Sequence, residues 1–88
     1  MRTLLVTFQL GTGRNDGPLT DRLRTYPQWC RLHGGAWIVQ SARRANEIRS
    51  DLARFLAEGD RLYVAALSGE AAWAGLSPEV SDWIVELT

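Results

Sequence analysis

Leu4, Val6, Phe8 and Leu10 alternate with Thr3, Leu5, Thr7 and Gln9 at the start of the chain. This two-residue period predicts an N-terminal strand with one well-buried face. Gln9 falls at the strand's exit, on the less apolar face, just before the loop Gly11-Thr12-Gly13-Arg14-Asn15-Asp16-Gly17. An ionised carboxylate at such an exit holds a divalent cation well, whereas a neutral amide coordinates hard cations weakly. Pro18 suits the first turn of a helix capped near Asp16 or Gly17. Leu19, Leu23 and Tyr26 give that helix one apolar stripe, and Pro27 stops it. Residues 28–33 and 36–40 read as extended segments joined by the hairpin dipeptide Gly34-Gly35. Ser41 is the expected N-cap of a second helix, Ala45, Ile48, Leu52, Phe55 and Leu56 its core-facing stripe, and Gly59 its close. Residues 61–67 alternate again, with Leu62, Val64 and Ala66 opposed to Tyr63, Ala65 and Leu67.

Strand, helix, strand, strand, helix, strand is the order of a split βαβ domain. The predicted fold class is therefore α+β: a ferredoxin-like βαββαβ domain, with a four-stranded antiparallel sheet and two helices on one face. Residues 68–76 form a connector rich in Gly and Ala that carries Trp73. Ser77-Pro78 opens a short C-terminal helix bearing Val80, Trp83, Ile84 and Leu87, too apolar to hang in water and expected to pack on this domain or on a partner's sheet. The whole of 1–88 is read as one domain, 1–67 the core and 68–88 the connector and helix, with no internal repeat or low-complexity segment.

A chain of 88 residues buries only about 60–65% of its unfolded surface, which makes dimerisation a natural expectation. No apolar run approaches the roughly 20 residues of a membrane span. The first residues lack the basic-then-apolar pattern of a secretory signal, so the expected location is cytoplasmic. Net charge is zero, yet all ten cations are arginine and nine of them lie within residues 1–54. That part carries about +5 and the remainder about −5. Arginine's planar fork suits phosphate, although a solvated charged face is the favoured explanation of such a distribution. The single cysteine, Cys30, excludes an internal disulfide and a thiol pair for zinc.

Gly11-x-Gly13 lies where backbone N–H groups cradle phosphate, but Asp16 stands where a dinucleotide fingerprint needs a third glycine, and no P-loop lysine follows. Cys30, His33 and Ser68 lack the spaced partners of a metal site or nucleophilic triad. Asp16, Asp21, Asp51, Asp60 and Asp82 are scattered, and capping or solubility accounts for them. Trp37 lies on the strand where RNA-recognition domains place base-stacking aromatics. Val6 occupies the other aromatic position of such a platform, so Trp37 reads as a core or interface tryptophan.

The segments LLVTFQL, YPQWCRL, AWIVQS and GDRLYVAAL, with the tail WAGLSPEVSDWIVEL, resemble small bacterial SinR-like proteins, which are similar to the Cas-two family of CRISPR adaptation. The resemblance covers nearly the whole chain and is strongest in the tail. It implies a ferredoxin-like homodimer in which two sheet faces stack and the C-terminal element helps to join them. In the Cas-two family an aspartate ends the first strand, in a pattern like Tyr-Asp-Leu, and two such residues across the dimer axis hold magnesium for nuclease activity. The same family also serves, without catalysis, as the bridge on which CRISPR integrase subunits hold DNA. Here the matching tripeptide is Phe8-Gln9-Leu10, so the metal role does not transfer.

The resulting expectation is a homodimeric scaffold of CRISPR adaptation or a related defence system, without intrinsic nuclease activity, resident cofactor or metal. It would bind an integrase or another defence protein, and DNA or RNA through Arg14, Arg22, Arg43, Arg44 and Arg49, with no membrane partner. Two alternatives stay open. One is a magnesium- or manganese-dependent endonuclease that acts despite Gln9. The other is a toxin–antitoxin or defence component working by protein contact through Trp73 or Trp83.

Overall fold

The computed structural model describes residues 1–87. It has a mixed α+β architecture whose elements run β1 (Arg2–Gln9), α1 (Gly17–Leu23), β2 (Gln28–His33), β3 (Ala36–Ser41), α2 (Ala45–Ala53), β4 (Arg61–Ala66) and α3 (Pro78–Leu87). The strands form one antiparallel sheet in the order β2-β3-β1-β4, an arrangement compatible with a ferredoxin-like fold.

Register follows from the alternation in β1. Leu4 and Val6 lie opposite Val39 and Trp37 on one side, and opposite Ala66 and Val64 on the other. All of these side chains therefore share a face. Leu19 and Leu23 of α1 and Ile48 and Leu52 of α2 close over that face, with Tyr26, and form one buried cluster with Leu4, Val6, Trp37 and Val39. The apolar stripes of both helices thus end where their periodicity places them. The hairpin between β2 and β3 turns at Gly34 and Gly35, and a register shift follows between Arg31 and His33. Gly35 is required there, since a Cβ would stand 2.1 Å from the Phe8 carbonyl oxygen.

Three helix boundaries differ from expectation. The N-cap of α2 is Arg44 and not Ser41. Ser41 ends β3, its Oγ accepting the Arg43 N–H, while the Glu47 carboxylate reaches back to the Arg44 N–H. Tertiary pairing of Ser41 with Arg2 keeps it in the sheet. At the other end α2 stops at Ala53, and Phe55 and Leu56 pack on the core from beyond it. Gly59, with φ +89°, shapes the later turn into β4 and does not close the helix. Likewise α1 ends at Leu23, short of Tyr26 and Pro27, and Tyr26 reaches the core from the following turn.

The terminal helix α3 lies against its own sheet. Its buried Ile84 lines a cavity with Thr3 and Ile38, residues on the face opposite the α1–α2 pair. None of the helices among the described residues is long and apolar enough to cross a membrane.

Candidate functional site

The open half of the sheet, beyond the reach of α3, presents Leu5, Thr7 and Gln9 of β1 beside Ala65, Tyr63 and Arg61 of β4, paired in that order. A shallow depression of about 250 Å³ lies among Thr7, Gln9, Arg61 and Tyr63, and the Tyr63 side chain is 64% exposed. Gln9 therefore faces a guanidinium across the ladder. None of the four strands contains an acidic residue. A neutral amide coordinates a divalent cation weakly, and a positively charged register partner adds no ligand for it. Among the described residues no three of His, Cys, Asp and Glu converge as a metal site.

Asp60, the residue before β4, is more than a local turn residue, because its side chain is only 1% exposed. Its carboxylate accepts the N–H groups of Ala57 and Gly11 and the Arg14 guanidinium, each at 2.8 Å. Those two backbone donors, followed by the nearby Arg14 charge, hold its pKa below the usual carboxylate value. Arg14 also donates to the Phe55 carbonyl at 3.2 Å. The glycine loop after β1 thus has an internal anion seated on it. The Gly17 N–H is taken by Asn15, and the loop is held as a structural clamp between β1 and β4.

Asp51, expected on an exposed helix face, is buried. It accepts Arg22 Nε at 2.8 Å, the Tyr26 hydroxyl at 2.8 Å and Arg54 Nη2 at 2.7 Å. Burial alone would raise its pKa, but the hydrogen bonds from Arg22 and Tyr26 and the two arginine charges outweigh it and hold the carboxyl low. Burial and the same carboxylate push the Tyr26 hydroxyl up. This network locks α1 to α2. Cys30 is buried, which raises its thiol pKa, while His33 is exposed.

The five arginines singled out as nucleic-acid contacts are thus in different situations. Arg14 and Arg22 are held by Asp60 and Asp51. Arg43, Arg44 and Arg49 are exposed at and along α2, and their side chains make no hydrogen bond or ion pair among the described residues. Trp73 is partly exposed and donates from Nε1 to Ser81 Oγ at 3.1 Å; Trp83 is half-buried.

Sequence reasoning missed a group at the β2 edge. The Trp29 indole tilts over the buried Trp37 with ring centroids 5.6 Å apart. The Arg24 guanidinium lies 5.7 Å from each ring, and Arg31 lies 5.4 Å from Trp37. Trp37 Nε1 is buried without a hydrogen-bond partner. The available signal was the run Arg22, Arg24, Trp29, Arg31, which crosses the turn between α1 and β2 and gathers there only once the hairpin pairs. Compared with protein-family models, curated proteins and solved structures, the chain has no significant match.

Proposed function

We propose that the chain is a ferredoxin-like homodimeric scaffold, similar to the SinR-like and Cas-two proteins, that holds a protein partner and nucleic acid without cutting. The observation that carries this reading is the pairing of Gln9 with Arg61 in a sheet whose strands contain no acid. A two-metal or single-metal phosphodiester cleavage needs carboxylates to fix the cation. This face offers an amide and a guanidinium. What it does offer is a patch of Leu5, Ala65 and Tyr63, apolar at one end and hydrogen-bonding at the other, suited to stacking on a second copy. Arg43, Arg44 and Arg49 lie across α2, on the far side of the sheet, where they stay accessible when the open face is covered.

The test is a cleavage assay on single- and double-stranded DNA and RNA with magnesium or manganese, run beside sedimentation of the same preparation. The expected outcome is a dimer that leaves every substrate intact. Cleavage abolished by a chelator would establish the endonuclease alternative. A monomer at micromolar concentration would remove the scaffold reading.

A further inference from the structure

The Trp29 cluster has the chemistry of a base-stacking step. Trp29 is 39% exposed on the edge strand of the sheet, so part of a large π-system meets solvent while the indole tilts at 44° toward Trp37. An exposed aromatic surface offers a nucleic-acid base a face on which to stack. The Arg24 guanidinium lies beside both indoles, 5.7 Å from each ring centroid. Its one ion pair, to Asp21 on the same helix, is long at 3.4 Å and solvent-exposed, so it yields readily to a phosphate. The neighbouring acids are mostly engaged, Asp16 by Arg31 and Asp51 by Arg22 and Arg54, which leaves Asp21 as the one open carboxylate of the group.

We propose that Trp29 and Arg24 form a binding step for single-stranded nucleic acid, a base stacking on the indole and the adjoining phosphate meeting Arg24. The inference rests on the reading that the arginine-rich side meets nucleic acid, and it adds which form is held and by which residues. A duplex keeps its bases stacked inside and cannot use Trp29. Single strands are bound by this combination of aromatic faces and cations, largely without regard to sequence.

The experiment is fluorescence anisotropy of a labelled oligothymidine of about twelve nucleotides, a length within the usual site sizes, and of a duplex of equal length, at low and moderate salt. The wild-type chain is compared with Trp29→Ala, Trp29→Phe and Arg24→Gln, each checked for folding by circular dichroism. The expected result is single-strand binding that weakens about tenfold or more in Trp29→Ala, is largely restored in Trp29→Phe, and loses part of its salt dependence in Arg24→Gln. Duplex binding should be unaffected by Trp29→Ala. Equal loss for both nucleic acids, or none for either, overturns the stacking step and leaves the arginine reading standing. Binding of neither nucleic acid at low salt overturns both. If Trp29→Ala folds poorly, Trp29→Phe and Arg24→Gln decide alone: unchanged single-strand binding with an unchanged salt slope in Arg24→Gln refutes the proposal.

Discussion

Asp51 illustrates how one side chain sets the mutual position of two helices. Three donors converge on it from α1, the turn after α1, and the residue that caps the end of α2. Asp51→Asn preserves size and removes the charge. Because Arg22 and Arg54 are partly solvated, the expected loss is about 2 kcal/mol in urea denaturation, below what a fully buried pair would give. The pH dependence has a definite sign. Asp51 is held below its ordinary 3.8, so its contribution is complete above that value and is lost as the pH falls through the depressed folded value. Tyr26 is raised above its ordinary 10.0. Its contribution is complete below 10 and is lost on the alkaline side as the unfolded phenol ionises first. Titrating stability in Asp51→Asn should therefore flatten the acid limb. Tyr26→Phe should flatten the alkaline limb and cost about 1 kcal/mol at neutral pH.

Strands and hairpin were legible from period and turn chemistry because each rests on local rules that the tertiary structure reinforces. The alternation in β1 survives as its burial pattern, and Gly34-Gly35 makes the turn it suggests. Helix ends were not legible. Ser41 is a good cap in isolation, but pairing with Arg2 holds it in β3; Phe55 and Leu56 kept the helical spacing after the helix had stopped, since the core and not the helix fixes where they go. The buried roles of Asp51 and Asp60 depend on partners 29 and 49 residues away in sequence, which no local pattern encodes. Gly35 supplies a test at this level. Alanine there must displace the Phe8 carbonyl, so Gly35→Ala should cost about 2 kcal/mol. The loss should appear as faster amide exchange along β1 and β3, while α3 is unaffected.

Taken together, the sheet is covered very unequally. One face carries two helices and a continuous apolar cluster. The other carries α3 over one half, seated through Ile84 beside a cavity of about 400 Å³, and leaves Tyr63 and Arg61 bare on the other half. If two copies meet through the bare half, Tyr63→Asp should convert dimer to monomer in sedimentation without changing the far-ultraviolet circular dichroism. Ile84→Ala should release α3 first, at a cost up to about 2 kcal/mol, seen as loss of protection confined to residues 78–87. The segment joining β4 to α3, residues 67–77, is long enough when extended to span roughly 36 Å. The molecule itself measures 35 Å along its longest axis. An arm with that reach can lie in a neighbour's cradle as well as in its own. Concentrated refolding should thus yield pairs with exchanged arms, and these pairs should swap subunits with fresh protein far more slowly than pairs assembled from already folded chains.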